Sequence, residues 1–496
     1  MTTRSGPQPN RVSAAALGAI LLLAAGLRLH GLDRLLPLGN EYFYFYLSLH
    51  PRDFPQFLEG IRGNPLHLLV TQLLTYWVGL WRDSPGWLRL PSVLCGCAGV
   101  WGLWRLAGMN GRARRGGAAA FLLAVSLLHI EWSSRAELYA LTSALPLFLT
   151  FSFFQLSENP GISWSYVLGA VLLIYSSPYA APLAVLHVFA LAFVPASGRR
   201  RAAASVFAAW TAACACFVPW ILFVASVLGP MLQSDFAGTH PGLQTASQFF
   251  GRIPLFFAQG AEVTRDLWHW GAPVPGLLAA LYFACYLLSL IRTLRGTGDP
   301  VLRLAHAAVP WGVGTVAILD AASRNYFSHR QLIWVLPFYL IGAADGFLWC
   351  FDRLAERFAF SRRAAGLALA AAASGLLFAS LGFYREAIGA QVAMGEGLNG
   401  ILEELERGLR PGDVLEFDNA RLAQEFLYHY DREAFRSVPV YGLLPKSMRV
   451  ERGGRENELR IAAWGEPPFP ASDSHAERTW RFRGSMHDLS VRVPRG

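Results

Sequence analysis

The feature of this sequence that most constrains its fold is a succession of long apolar runs. A helix needs roughly 20 apolar residues to cross the hydrocarbon core of a bilayer, and about 11 runs approach that length. They lie at 12–30, 87–107, 114–130, 139–156, 163–176, 179–195, 203–228, 272–291, 304–320, 331–350 and 364–384. Only 16% of the residues are charged, whereas soluble domains carry roughly 25%. The chain is therefore predicted to be an all-α polytopic membrane protein.

The first run resembles a secretory signal because Arg4 and Arg11 precede it. It is long enough to span a bilayer, and further spans follow it. We interpret it as an uncleaved anchor.

The run 65–80 is ambiguous, and the positive-inside rule decides how it is assigned. If it does not span, the later inside loops hold fourteen arginines and the later outside loops between spans hold five. The inside set is Arg105, Arg112, Arg114, Arg115, Arg199, Arg200, Arg201, Arg292, Arg295, Arg303, Arg353, Arg357, Arg362 and Arg363. The outside set is Arg135, Arg252, Arg265, Arg324 and Arg330. We therefore predict a juxtamembrane or re-entrant helix at 65–80 and a cytoplasmic N-terminus.

This topology predicts two domains. Residues 1–384 form the transmembrane domain, with a first outside loop at 31–86 and a second at 229–271. Residues 385–496 form a small C-terminal extracytoplasmic α/β domain, with strands at "PGDVLEF" and "VPVY" and a helix at "NARLAQEFLYHYD" between them. In the first outside loop, "PRDFPQFLEGIRG" has apolar residues at helical spacing and predicts an amphipathic helix in the membrane interface.

Glu41 is the strongest candidate for chemistry, because an ionisable group at membrane depth is expensive and is usually functional. It stands in "GNEYFYFY", just after the first span and ahead of four aromatic residues. The alternative is an interfacial acid that caps a helix or pairs with Arg34. The aromatic run has an alternative interpretation too, as an interfacial belt.

Two further clusters lie at predicted outer ends of spans. Glu131, Arg135 and Glu137 stand close together in "HIEWSSRAELYAL", where a self-neutralising turn is the alternative. His329 and Arg330 precede the tenth run, where an arginine fork suits a phosphate oxygen and interfacial snorkelling is the alternative.

Composition points away from several other classes. The net charge of +9 can serve membrane orientation and implies no nucleic-acid partner. Five of the six cysteines fall inside apolar runs and the sixth at the end of one, so a disulfide framework is not expected. No CxxC or ligand-spaced histidine pair is present, and no metal site is predicted.

Six stretches follow one another in the chain. They are "GNEYFYFY", "GNPLHLL", "WLRLPSVLCG", "SSRAELYAL", "YSSPYAAPLAVLH" and "HRQLIWVLPFYLIGA". Their order resembles the GT-C superfamily of polyprenyl-phosphate-sugar-dependent glycosyltransferases, and the resemblance covers roughly residues 12–350. That superfamily includes protein O-mannosyltransferases, aminoarabinose transferases of lipid A and a related family of lipopolysaccharide-core transferases.

Three positions depart from the pattern of the superfamily. It usually has Asp-Glu where this chain has Asn40-Glu41, and the first of the two acids is commonly the catalytic one. The order acid–x–Arg is exchanged here to Arg135–Ala136–Glu137. Pro178 replaces a histidine that often precedes tyrosine in the turn between the fifth and sixth spans.

The resemblance implies transfer of a sugar, with inversion, from a polyprenyl-phosphate donor to an extracytoplasmic acceptor, which is a glycolipid, a polysaccharide or a protein. It implies Glu41 as the catalytic base and requires no cofactor or metal. The residues it implies in substrate binding are Asn40, Tyr42, Arg135, Glu137, Tyr139, Tyr179, His329 and Arg330. The implied location is the bacterial inner membrane, with a periplasmic active site among membrane lipids.

Two other functions remain open on the sequence. A non-catalytic relative that binds a polyprenyl lipid or a glycan is favoured by Asn40. A transporter or flippase is less favoured, because no paired broken helices in two matching halves are evident.

Overall fold

The computed structural model describes most of the predicted membrane part and scattered pieces of the tail. The described residues are 11–35, 37, 41–42, 44–45, 54–63, 69–137, 139–158, 163–193, 196–233, 273–323, 329–358, short helical stretches between 364 and 389, and 414–417, 427–428, 448–452, 459–463, 480–481 and 490–491.

Thirteen helices have defined bounds in this part of the chain. They are α1 (Arg11–Leu29), α2 (Phe54–Gly63), α3 (Leu69–Gly79), α4 (Pro85–Ala107), α5 (Ala113–Ala124), α6 (Leu127–Ser133), α7 (Tyr139–Glu158), α8 (Trp164–Ser176), α9 (Leu183–Ala190), α10 (Ala196–Gln233), α11 (Pro273–Arg292), α12 (Pro300–Ser323) and α13 (Leu336–Arg357). Short 3₁₀ turns lie at Pro178–Ala180, Leu191–Phe193 and His329–Leu332, and a π turn lies at Thr293–Thr297.

Every predicted apolar run contains helix in the described residues. Four helices are long and apolar enough to cross a membrane, at Pro85–Ala107, Tyr139–Leu156, Arg199–Ser226 and Pro300–Ile318. A fifth span results if α5 and α6, which are bent by 63°, count as one. Shorter apolar helices lie at Ala14–Leu29, Trp164–Ser176 and Gly366–Phe378. The chain is a multi-pass membrane protein.

The chain forms two compact units. The first, the helical unit, comprises Met1–His30, Leu68–Val70 and Arg89–Ala387; the second, the loop-and-tail unit, comprises Gly31–His67, Thr71–Leu88 and Ile388–Gly496. Most of the predicted first outside loop and of the predicted tail thus belong to the second unit. The predicted domain boundary at residues 384 and 385 stays a prediction.

Close helix packing in the helical unit depends on small residues. A Cβ at Gly346 of α13 would overlap the carbonyl oxygen of Cys285 on α11, and one at Gly342 would lie 2.7 Å from the ring of Tyr286. Small residues let membrane helices approach in this way. Large apolar side chains on the other faces are exposed, among them Leu22, Leu94, Leu168, Leu222 and Ile318. Such exposure suits contact with lipid.

The turn between α4 and α5 is equally close. Asn110 and Gly111 have φ values of 58° and 76°, a left-handed conformation that glycine adopts at little cost. A Cβ at Gly116 would lie 2.7 Å from the carbonyl oxygen of Trp104 and 2.9 Å from Cα of Gly108. Tight packing here brings the start of α5 against the end of α4.

The described strands of the loop-and-tail unit form two antiparallel sheets. The strands β1 (Val414–Phe417), β2 (Met448–Arg452) and β3 (Leu459–Ala463) pair in that order, with Leu415 opposite Val450 and Val450 opposite Ile461. The strands β4 (Trp480–Arg481) and β5 (Ser490–Val491) pair separately. β1 confirms the strand predicted at "PGDVLEF".

Other predictions for the tail and the second loop lie outside the described residues. These are the strand at "VPVY", most of the helix at "NARLAQEFLYHYD" and the loop 229–271 beyond the end of α10.

Candidate functional site

The Glu41 segment is buried in the loop-and-tail unit. Glu41 and Tyr42 are helical, and their exposed fractions are 1% and 4%. The ring of Tyr428 meets Tyr42 edge-on and stacks on Phe45, with centroids 5.5 Å apart in both pairs. A tail residue therefore packs on the aromatic residues that follow the candidate base. Asn40 lies outside the described residues.

The helices α2 and α3 pack on each other through aromatic rings. Phe57 stacks on Tyr76 with centroids 4.4 Å apart, and both side chains are buried. This contact uses the apolar face of α2 that the sequence predicts.

The helix α3 buries polar side chains and exposes apolar ones, which is the reverse of a helix on the surface of a soluble protein. Thr71, Gln72 and Thr75 are buried, whereas Leu74 and Trp77 are exposed. An exposed apolar face with tryptophan is typical of a helix at the membrane interface. The eleven residues of α3 extend over about 16 Å.

The start of α4 is fixed by two contacts within the same unit. The Asp33 carboxylate accepts a hydrogen bond from the backbone N–H of Gly86 at 2.8 Å, a favourable place for an acid at a helix N-terminus. Trp87 donates its indole N–H to the carbonyl oxygen of Val78 at 3.0 Å. These bonds join the turn after α1, the end of α3 and the first turn of α4.

Two ion pairs define the direction of helices in the helical unit. Arg114, at the start of α5, pairs with Asp352 near the end of α13 at 3.0 Å, so α5 and α13 are antiparallel. Arg115 pairs with Asp299, which precedes α12, at 2.7 Å, so α5 and α12 run the same way. We call this the ion-pair end of the helical unit.

The opposite end of these helices, which we call the turn end, holds the predicted site residues of the helical unit. The end of α5, the end of α12 and the start of α13 all lie there, and with them α6 and the His329–Leu332 turn. The hydroxyl groups of Ser152 on α7 and Ser165 on α8 are 3.4 Å apart in antiparallel helices. This register places the end of α8, and the turn that holds Tyr179, at the level of the start of α7.

The turn between α6 and α7 holds two of the predicted residues, Arg135 and Glu137, and Tyr139 is the first residue of α7. Arg135 donates to the Glu131 carboxylate at 2.6 Å, and its guanidinium lies 4.8 Å from the centre of the Trp132 ring. Trp132 is fully buried and meets Tyr139 edge-on at 4.7 Å. Glu137 is buried in the same turn. The described contacts of Arg135 thus include a carboxylate and an aromatic face of its own segment.

The other predicted residues lie on separate turns. Tyr179 is half-buried in the Pro178–Ala180 turn between α8 and α9. His329 and Arg330 begin the 3₁₀ turn before α13, and their side chains lie outside the described residues.

A buried arginine that the sequence analysis did not single out lies beneath the α6–α7 turn. Arg28 of α1 donates to the carbonyl oxygens of Ala24 at 2.9 Å and Ala124 at 3.1 Å, and to Nδ1 of His129 at 2.6 Å. His129 Nε2 is 2.9 Å from the hydroxyl of Ser143. The sequence could have indicated Arg28, because it is an arginine inside an apolar run. A charged guanidinium at that depth in a membrane costs as much free energy as a charged carboxylate.

Two further polar networks join helices away from the turn. His187 lies between Thr150 at 3.1 Å and Tyr166 at 2.8 Å, and Trp210 donates to the Tyr166 hydroxyl at 3.0 Å. The other network joins Arg292 to Asp345 at 2.9 Å. Within the described part of the chain, no group of three His, Cys, Asp or Glu side chains is arranged to hold a metal ion.

No family model matches this sequence, and a search of curated proteins finds no match. Solved structures do match. One is ArnT from Cupriavidus metallidurans bound to undecaprenyl phosphate, with 14% identity, 80% of this chain and 81% of that chain covered, and a TM-score of 0.50. Another is the archaeal oligosaccharyltransferase AglB from Archaeoglobus fulgidus in complex with an inhibitory peptide and a dolichol-phosphate. It has 12% identity, 87% of this chain and 60% of that chain covered, and a TM-score of 0.50.

Because both identities are this low, the similarity concerns the fold alone. The fold of the chain is similar to the folds of these two structures, in agreement with the GT-C-like fold that the order of motifs predicts.

Proposed function

We propose that this protein is an integral membrane glycosyltransferase that transfers a sugar from a polyprenyl-phosphate donor to an extracytoplasmic acceptor. The observation that carries the proposal is the GT-C-like fold, which is similar to one structure with undecaprenyl phosphate and another with a dolichol-phosphate. A buried carboxylate, Glu41, and an arginine at a helix turn, Arg135, supply the residue types that such a reaction needs.

The proposed topology has eleven spans with the N-terminus in the cytoplasm and the turn end of the helical unit in the periplasm. Arg112, Arg114 and Arg115 at the ion-pair end support this orientation, because arginine is enriched in cytoplasmic loops. In this topology residues 1–384 form the transmembrane domain and residues 385–496 form a periplasmic α/β domain.

The proposed reaction is a single displacement with inversion. Glu41 takes the proton from an acceptor hydroxyl, whose oxygen forms a bond to the anomeric carbon as the bond from that carbon to the phosphate oxygen breaks. The electron pair of the broken bond stays on the lipid phosphate, whose charge Arg330 and Arg135 stabilise. Asn40, Tyr42, Glu137, Tyr139, Tyr179 and His329 are proposed to line the substrate site.

The test measures transfer of radiolabelled sugar in membranes that contain the native acceptor, supplied with a panel of polyprenyl-phosphate sugars. Glu41→Gln keeps the size of the side chain and removes the base, and we expect transfer to fall by about 100-fold or more. Asp83→Asn is the matched control, since Asp83 is an exposed carboxylate of the same unit. If Glu41→Gln transfers sugar at the wild-type rate, Glu41 is not the base, and Glu137 is the next candidate.

A second function is favoured by one position. Asn40 stands where related enzymes usually have an aspartate, which suits a protein that binds a polyprenyl lipid or a glycan without catalysis. Folded protein that binds undecaprenyl phosphate and transfers sugar from no donor would establish that function instead.

A further inference from the structure

The inference begins at the bend between α5 and α6. The two helices meet at 63°, and the N–H groups of Val125 and Ser126 close the last turn of α5 onto Phe121 and Leu123. A helix that ends inside a membrane protein leaves carbonyl groups that need donors. Neither proline nor glycine stands at this bend, so its cause lies outside the segment.

Arg28 supplies the missing donors. Its Nη1 donates to Ala124 at 3.1 Å and its Nη2 points at Leu123 at 3.4 Å, so the guanidinium caps the C-terminus of α5. The same Nη1 donates to Ala24 in its own helix. Carbonyl groups at a helix C-terminus carry partial negative charge and compensate a cation.

The Arg28 guanidinium lies in an environment that makes its bonds to backbone carbonyls and to His129 necessary. The side chain is fully buried, and among the described residues no carboxylate forms an ion pair with it. An isolated buried charge is costly, so the helix ends and His129 must offset that cost. Nε faces Gly96 of α4, where a Cβ would come within 2.9 Å of it.

A chain of hydrogen bonds then runs from Arg28 through α6 to α7. Arginine only donates, so Nδ1 of His129 accepts and Nε2 carries the proton. Nε2 donates to the hydroxyl of Ser143, which donates to the carbonyl oxygen of Ala140 at 3.1 Å. The Ser133 hydroxyl donates to the carbonyl of His129, and the Ser134 hydroxyl donates to Ile130 at 2.9 Å. The Arg28 cation therefore joins the end of α5 to His129 of α6, and His129 joins α6 to α7.

We propose that Arg28 is a positioning residue that, through His129, holds the α6–α7 turn in the orientation the transfer reaction needs. The turn carries Arg135 and Glu137, and Arg135 contacts Glu131 and Trp132 of α6. The inference rests on the proposed function for its catalytic consequence. The holding of the turn itself does not depend on that function.

The experiment combines hydrogen exchange with transfer kinetics on the full chain in nanodiscs. Arg28→Lys keeps the charge but loses the planar fork that serves several acceptors at once. His129→Leu removes the acceptor, and His129→Gln retains an oxygen to accept and an NH₂ to donate. Arg200→Lys, at an exposed arginine of α10, is the control.

We expect amide exchange in residues 127–137 to be about tenfold faster or more in Arg28→Lys and His129→Leu, because bonds to a charged group are strong. Exchange in α8 stays at the wild-type rate, and His129→Gln restores part of the protection. Transfer shows a fall in kcat of about 10- to 100-fold with little change in the donor KM, as expected for lost alignment.

The outcomes separate this proposal from the proposed function. If amides 127–137 exchange at the wild-type rate in both Arg28→Lys and His129→Leu, the positioning role is overturned, whatever the rate of sugar transfer. Faster exchange with unchanged kcat leaves Arg28 structural and overturns the link to the reaction. If the wild type transfers no sugar, the proposed function and that link both fall, while faster exchange still establishes that Arg28 holds the turn.

Discussion

Tyr428 stacks on Phe45 with ring centroids 5.5 Å apart and ring planes inclined by 26°. The same Tyr428 ring meets Tyr42 at 80°, and all three side chains are buried. The contact joins residues from the far end of the chain to the segment that contains Glu41. The tail thus packs directly on the aromatic residues next to the candidate base.

Tyr428→Ala is expected to loosen the Glu41 segment. Loss of a buried aromatic ring costs about 3 kcal/mol or more of unfolding free energy, whereas Tyr428→Phe keeps the ring and costs about 1 kcal/mol. Amide exchange in residues 41–45 and sugar transfer measure the effect, and both should change in the alanine variant. Trp164→Ala removes a ring that is 75% exposed and is the control. If Tyr428→Ala and Trp164→Ala show the same amide exchange in residues 41–45 and the same sugar transfer, the prediction is wrong.

Gly96→Ala is expected to disturb the Arg28 network from a neighbouring helix. The added methyl group would lie 2.5 Å from the Ser133 hydroxyl oxygen and 2.9 Å from Arg28 Nε, so at least one of them must shift. Overpacking of this kind costs about 1–3 kcal/mol. Thermal unfolding followed by size-exclusion chromatography measures it.

The control for this change lies one turn further along α4. A Cβ at Gly99 would meet its nearest atom, Nε2 of His129, at 3.5 Å, which is an ordinary contact. Gly99→Ala should therefore be neutral or slightly stabilising, since alanine favours a helix over glycine. A destabilisation as large as that of Gly96→Ala would show that the crowding at Ser133 and Arg28 is not the cause.

The sequence predicts the helices well and their breaks poorly. Apolar runs specify helices because each backbone group in lipid must be bonded within its own segment. The run 114–130 contains no proline and reads as one helix, yet the chain bends after Ala124. The residue that stabilises the bend, Arg28, is 96 positions away from Ala124.

In the candidate site too, local contacts could be predicted from the sequence, whereas contacts between distant segments could not. The Glu131–Arg135 pair could be predicted, because residues four apart on a helix are neighbours. The burial of Glu41 beside residues that pack on Tyr428 could not, because no local pattern links a loop near the start of the chain to its tail. Motif order predicts the fold, whereas contacts between distant segments decide which side chains meet.

Arg135→Lys is expected to weaken use of the lipid-phosphate donor. A lysine in this position retains the charge, but it cannot pair with Glu131, lie on Trp132 and offer further donors to a phosphate at once. We expect kcat/KM for the donor to fall by about tenfold and by more in Arg135→Ala. Steady-state transfer with varied donor concentration measures this.

Arg353 offers a control for Arg135 in a local pair of the same composition that is exposed. It pairs with Glu356 at 3.2 Å and its guanidinium lies 5.8 Å from the centre of the Trp349 ring, at the ion-pair end of the helical unit. Arg353→Lys should leave kcat/KM at the wild-type value. Equal losses in the two lysine variants would mean that arginine at such a local pair matters for folding and not for the donor.

Asp345→Asn tests the acid that α13 carries inside a predicted span. Asp345 accepts from Arg292 and from the Ser289 hydroxyl, both at 2.9 Å, and Ser289 in turn lies 3.1 Å from Nε2 of His306. The single proton of Ser289 is committed to Asp345, so His306 donates from Nε2. The network joins α11, α12 and α13 through one carboxylate.

Removing the charge of Asp345 leaves the Arg292 cation without its partner. The pair is only partly exposed, so the expected loss of unfolding free energy lies between the roughly 1 kcal/mol of an exposed pair and the roughly 3 kcal/mol of a buried one. The double variant Asp345→Asn/Arg292→Gln should recover part of the lost unfolding free energy.

The control is Asp352→Asn, in the exposed pair with Arg114, which should cost less than about 1 kcal/mol. A double variant that is less stable than Asp345→Asn alone would place the importance of Arg292 in its contact with Trp349, 5.3 Å away, and not in the ion pair.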